Sequence, residues 1–88
     1  MYYVYILRSE KDGKLYTGST KDIVKRESFH QLGKVISTSY RKPFILIYYE
    51  ACLNETDARK RERFLKSGPG KRFIKGRLKF YYKEAEAR

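Results

Sequence analysis

Apolar and aromatic positions concentrate in two dense runs, with more widely spaced ones between and after them. Residues 2–7, Tyr-Tyr-Val-Tyr-Ile-Leu, and 44–49, Phe-Ile-Leu-Ile-Tyr-Tyr, are rich in aromatic and branched side chains, which predicts strands. Between them, Glu10-Lys11-Asp12-Gly13 is turn chemistry. Lys14 to Gly18 returns as a second short strand, so residues 2–18 predict an antiparallel hairpin. Ser19 with Asp22 three positions on resembles a capping box. It predicts a helix running to about Leu32, with Gly33 as its C-cap. Residues 34–43 are polar, end at Pro43 and predict a loop.

Beyond the second run, Asn54 caps a predicted helix with Asp57 in its first turn. That helix continues to Lys66 and breaks at Ser67-Gly68-Pro69-Gly70. A short further helix covers about Lys71 to Leu78. The order β-β-α-β-α-α predicts an α/β (more strictly α+β) domain, a small three-stranded antiparallel sheet with helices packed on it. One domain spans residues 1–79, and residues 80–88 are a C-terminal tail open to fraying.

Composition narrows the setting. A chain of 88 residues has room for one domain, and its nine Tyr and five Phe supply ring area for one core. The single Cys52 excludes an internal disulfide and fits a reducing compartment. No basic leader precedes the first strand, and no apolar run approaches the roughly 20 residues of a membrane span. The expectation is a soluble, cytoplasmic protein with no membrane partner.

The net charge of +11 is unevenly placed. Residues 1–58 carry nine Lys and Arg against seven acids, whereas residues 59–83 carry eleven against Glu62 alone. Such a segment favours a polyanion, because releasing condensed counterions drives the association. Nucleic acid is therefore the expected partner, DNA ahead of RNA, with Lys66, Lys71, Arg72, Lys75 and Arg77 as contacts.

The inventory of reactive side chains is short. One His and one Cys do not make a zinc site of the usual kind. There is no GxxxxGK[ST] loop for a nucleotide. An enzyme built from this chain must work with tyrosine, arginine and carboxylate. Tyr5 and Tyr16 lie on adjacent predicted strands. Arg26 and His30 are four apart on one helix face. Glu62 falls four after Ala58 and three before Leu65, on the apolar seam of its helix. Singly, each has an ordinary explanation: cross-strand rings, a solvated helix charge, a histidine near a helix end, a surface ion pair of Glu62 with Lys66 or Arg59.

Taken in order, these residues resemble the GIY-YIG nuclease superfamily. Tyr3-Val4-Tyr5 and Tyr16-Thr17-Gly18, with eleven positions between the tyrosines, are similar to its paired motifs. Arg26 follows Tyr16 by ten, His30 stands where members carry His or Tyr, and residues 57–66 resemble the segment bearing the family's glutamate. Lys42-Pro43-Phe44 and Ser67-Gly68-Pro69-Gly70-Lys71-Arg72 resemble its small one-domain bacterial branch, similar to the N-terminal domain of excision-repair nucleases. Tyr3 and Thr17 depart from the motif's glycine and isoleucine, and Ser19 stands where the excision-repair relatives carry lysine.

The resemblance implies a metal-dependent endonuclease of low sequence specificity, with DNA repair as a setting. Glu62 would hold one Mg²⁺ or Mn²⁺ ion, and Tyr16 would be general base. Tyr5 would orient water or phosphate, Arg26 would clamp the phosphoryl oxygens, and His30 would assist by hydrogen bond or proton transfer. Two other readings stay open: a nucleic-acid-binding module with this fold and little or no catalysis, and a subunit docking on an acidic protein. A protein partner for targeting is compatible with each.

Overall fold

The computed structural model describes residues 1–26 and 43–87. Strand β1 spans Tyr2–Ser9, β2 Leu15–Thr20 and β3 Phe44–Cys52, in the order β2-β1-β3. Both pairings are antiparallel, with Tyr5 opposite Gly18 on one side and Tyr49 on the other. The fold is therefore the expected α+β arrangement on a three-stranded antiparallel sheet. The Asp-Gly turn is also as expected, with Gly13 at a φ of 73°, a conformation that glycine adopts without a side-chain clash.

Because strand side chains alternate faces, β1 divides its residues between two small cores. Val4 and Ile6 pack with Ala58, Leu65 and Ile74 from the helices. Tyr5 and Leu7 pack with Phe44 on the opposite face, joined by Tyr16, Ile23 and Leu46. A bulge between Ile6 and Leu7 skips one residue of β3, which keeps Leu46 and Phe44 on the tyrosine face while Tyr48 and Glu50 stay on the other.

Helix α1 covers Glu55–Lys66. Asn54 caps it as expected, its side-chain oxygen accepting from the backbone N–H of Thr56 and Asp57. Ala58 and Leu65 form its buried seam. Helix α2 covers Gly68–Arg77, starting earlier than expected. Ser67 caps it, its hydroxyl accepting from Gly70 N–H, and Pro69 sits in the first turn, where its missing N–H costs nothing. Helix α3 covers Lys79–Glu86, so the stretch expected to fray is largely helical. Tyr81 and Tyr82 stack against the Arg8 guanidinium and tie α3 to β1.

Near the first helix, the expectation needs correcting. Ser19 is a strand residue paired with Val4, not a cap. Residues 23–26 are helical, and Asp22 is the cap, its carboxylate accepting from Lys25 N–H at 3.0 Å. The rest of that predicted helix, its Gly33 cap and the loop up to Lys42 lie outside the described residues. No helix among the described residues is long and apolar enough to cross a membrane.

Candidate active site

Tyr5 is only 2% exposed, yet its phenol is engaged. Arg26, delivered by the helical turn after β2, donates from Nε to Tyr5 Oη at 3.3 Å. Tyr16 lies diagonally across from Tyr5 on the same face, with ring centroids 6.4 Å apart, and is near enough to Arg26 to interact with its guanidinium. The structure thus brings Tyr5, Tyr16 and Arg26 together. Burial raises the Tyr5 phenol above its ordinary value, against the opposing hydrogen bond from Arg26. Tyr5 therefore stays protonated at neutral pH and can donate a hydrogen bond, which suits an orienting role.

Gly18 makes this possible. The Tyr5 ring lies over it, so that a β-carbon at position 18 would stand 2.5 Å from Tyr5 Oη and 2.7 Å from Cζ. Glycine inside a strand commonly marks such a close approach.

Glu62 comes from α1, on the other face of the sheet, and is 20% exposed. Ser19 Oγ donates to its Oε1 at 2.7 Å and Lys66 Nζ to its Oε2 at 2.8 Å. Burial pushes this carboxyl up, but the Lys66 and Ser19 hydrogen bonds outweigh that and leave it below the usual carboxylate value. Its charge reaches Tyr5, where it helps to raise the phenol. The spacing that put Glu62 on an inward-facing seam is consistent with this half-buried position. The ordinary i,i+4 pair with Lys66 forms as well, while Arg59 pairs instead with Glu55 at 3.6 Å.

A cleft of about 220 Å³ beside β2 is lined by Tyr16, Thr17, Leu15, Ile6, Leu65, Lys66, Lys71 and Ile74. Of the expected nucleic-acid contacts, Lys66 and Lys71 thus share this cleft with Tyr16. Arg72, Lys75 and Arg77 are exposed elsewhere on α2, and Arg77 lies close enough to Tyr48 for its charge to be felt there. His30 lies outside the described residues.

Two polar contacts were not evident from the sequence. Ser19 is the hydroxyl partner of Glu62, and its pairing with Val4 was the missing signal. Glu50, on the helix face of β3, takes a bidentate pair from Arg61 at 2.9 and 3.0 Å and a hydrogen bond from Tyr48 at 2.8 Å. Glu50 is thereby tied into the structural contact between β3 and α1.

Comparison with known proteins adds a family to this geometry. The family described as the GIY-YIG catalytic domain matches residues 1–76. A UPF0213 protein of Staphylococcus saprophyticus is 42% identical over 67 residues, 75% of this chain and 80% of its own. One from Oceanobacillus iheyensis is 38% identical over 78 residues, covering 88% of this chain and 87% of its own. One from Clostridium perfringens is 42% identical over 67 residues, 75% and 71% of the two chains. No solved structure matches.

Proposed function

Since the chain belongs to the GIY-YIG catalytic-domain family, a family of nuclease domains acting on nucleic acid, we propose that it is a metal-dependent endonuclease with little intrinsic sequence specificity. The observation that carries this reading is the Arg26 guanidinium held against the buried Tyr5 phenol with Tyr16 beside it. That is a cation and two phenols at one point, the set that hydrolysis of a phosphodiester can use.

Arg26 has five N–H donors, so its bond to Tyr5 leaves others for phosphoryl oxygens, where charge builds in the transition state. Tyr5, kept protonated by burial, donates to the phosphate or orients the attacking water. Tyr16 accepts the proton of that water as its oxygen bonds to phosphorus and the bond to the leaving oxygen breaks, with Arg26 beside it to stabilise the phenolate. His30 completes the set as a hydrogen-bonding or proton-transfer partner. Lys66, Lys71, Arg72, Lys75 and Arg77 hold the strand, DNA ahead of RNA, and a protein partner would target so small a domain.

Among the described residues, no three His, Cys, Asp or Glu side chains converge as a cage for an ion. One carboxylate beside a serine hydroxyl suits a hard divalent cation that keeps most of its water. Lys66, 52% exposed, is free to swing away from Glu62. Glu62 would hold Mg²⁺ or Mn²⁺, and that ion would supply Lewis-acid stabilisation of the leaving oxygen.

One observation favours the binding-module reading: Glu62 is already ion-paired with Lys66. A panel of labelled DNA and RNA forms, incubated with Mg²⁺, Mn²⁺ or EDTA, separates the two. Cutting that requires both metal and Glu62, lost in Glu62→Ala, is the expected result. Metal-dependent cutting undiminished in Glu62→Ala would sink the mechanism, and tight binding without cutting would establish the module.

A further inference from the structure

The tyrosine face of the sheet extends past the candidate active site. Tyr49, on β3, is directly opposite Tyr5 and therefore shares its face. A row of tyrosines thus crosses the sheet from Tyr16 through Tyr5 to Tyr49. Tyr5 is buried, whereas Tyr49 is 54% exposed and belongs to neither hydrophobic core. It is not loose: Tyr3 packs against it in a T-shaped contact, with centroids 5.9 Å apart and planes at 62°. A large ring fixed by its neighbour, yet more than half in water, has a face left for another ring.

Three occupants can be weighed. Two tyrosines bury at most about 300–500 Å² together, well short of the roughly 800 Å² per partner of a stable protein interface. That argues against a second copy or a folded partner resting on this patch alone. A nucleobase needs only one ring face, and the net charge of +11 attracts the polyanion that carries it. Position supports it: adjacent strands lie about 4.8 Å apart and the Tyr5 hydroxyl overlies Gly18 on β2, so Tyr49 on β3 is two strands, roughly 10 Å, from the phenol and guanidinium that would meet the phosphate.

We infer that Tyr49, backed by Tyr3, is a stacking platform for an unpaired base beside the phosphate held by Tyr5 and Arg26. This rests on the nucleic-acid reading of the site and deepens it by naming the substrate class. A base inside a duplex is covered on both faces by its neighbours, so only a splayed nucleotide can use the platform. The substrate is accordingly single-stranded, or carries a flap, bulge or loop at the point of cleavage.

The chain contains no tryptophan, so Tyr49→Trp places a lone indole reporter at the platform. Titrations in EDTA keep every oligonucleotide intact. A single-stranded oligonucleotide should quench the indole, whereas a duplex of the same sequence and a single strand bearing abasic sites should not. Tyr49→Ala should lose roughly 5- to 150-fold in single-strand affinity, equivalent to 1–3 kcal/mol of stacking. Its duplex affinity and salt slope should hold, and Tyr49→Phe should bind like the wild type. Equal losses on single strand and duplex, equal quenching by abasic strands, or wild-type affinity in Tyr49→Ala would each overturn the platform alone. A wild-type chain that binds no nucleic acid even at low salt would overturn both the platform and the function it rests on.

Discussion

Gly18→Ala tests the site with one methyl group. The added carbon would stand 2.5 Å from Tyr5 Oη, 2.7 Å from Cζ and 3.1 Å from Cε1, against about 3.5–4.0 Å for relaxed contact between carbons. The ring must retreat by roughly 1 Å. It has little room to do so, being packed with Leu7 and Phe44 and hydrogen-bonded by Arg26. Overpacking of this kind costs about 1–3 kcal/mol, which at about 4–8 °C per kcal/mol lowers the melting temperature by roughly 4–24 °C. A misplacement of about 1 Å in a catalytic group costs on the order of 100-fold in rate. Calorimetry and single-turnover cleavage on the preferred substrate read the two effects separately. Tyr5→Phe removes the Oη contact but keeps Cζ, so Gly18→Ala should be less destabilising in that background by about 0.5–1 kcal/mol. A Gly18→Ala protein that melts and cleaves like the wild type would refute the arrangement of Tyr5 over Gly18.

Gly70→Ala should be worse, at about 3 kcal/mol or more, because its β-carbon would run into the Phe64 carbonyl and Leu65 Cα, backbone that cannot swing aside. Gly76→Ala meets nothing and should stabilise α2 by about 0.5–1 kcal/mol; thermal melts check both. Acid should unfold the protein partly through Glu50: burial alone would raise this carboxyl, but the Arg61 fork and the Tyr48 hydroxyl outweigh it and hold it below its ordinary 4.5. A lowered carboxyl adds stability above the unfolded pKa and loses it as pH falls through the folded one. Melting temperatures should therefore hold on this account down to about pH 5 and drop below about 4.5, while Glu50→Gln melts lower at pH 7 with a flatter acid limb. Charge reversals at Lys71, Arg72, Lys75 and Arg77 should weaken nucleic-acid binding and reduce the salt slope by about 0.7–0.9 per lost phosphate contact. An unchanged slope would remove α2 from the interface.

The parts of the fold written in local chemistry were legible. Aromatic and branched runs gave β1 and β3, Asp12-Gly13 gave the hairpin turn, Asn54 gave the start of α1, and the Ala58–Leu65 spacing turned Glu62 inward. What was misread depended on partners far away in sequence. Ser19 and Asp22 satisfy a capping box on paper, but pairing with Val4 keeps Ser19 extended and frees its hydroxyl for Glu62. Ser67-Gly68-Pro69-Gly70 looks like a break, yet serine cap and first-turn proline are also a helix start. Gly70 is needed there because α2 begins against the backbone of α1. Residues 80–88 looked like a tail because nothing local announces that Tyr81 and Tyr82 will meet Arg8.

The geometry also locates what controls the site. Tyr16 and Gly18 share the face of Tyr5, whereas Thr17 and Ser19 share the face of Val4 and Ile6. The Tyr5–Tyr16–Arg26 group and Glu62 therefore start on opposite sides of the sheet. On the proposed function they would have to reach one phosphate around a free margin, and β2 is an edge strand. Beside that edge, Leu15, Tyr16 and Thr17 of β2 line a cleft with Leu65, Lys66 and Ile74. A slip of β2 by one residue would reverse every side chain on it. It would turn Tyr16 away from Arg26 and put Thr17 or Ser19 beneath the Tyr5 ring. The register is pinned at the far end of the hairpin. There the buried Ser9 hydroxyl accepts from Lys11 and Asp12 N–H, Asp12 accepts from Lys14 N–H, and Gly13 supplies the one positive φ among the described residues. On the proposed function, a turn remote from the site thus decides which side chains would face the substrate.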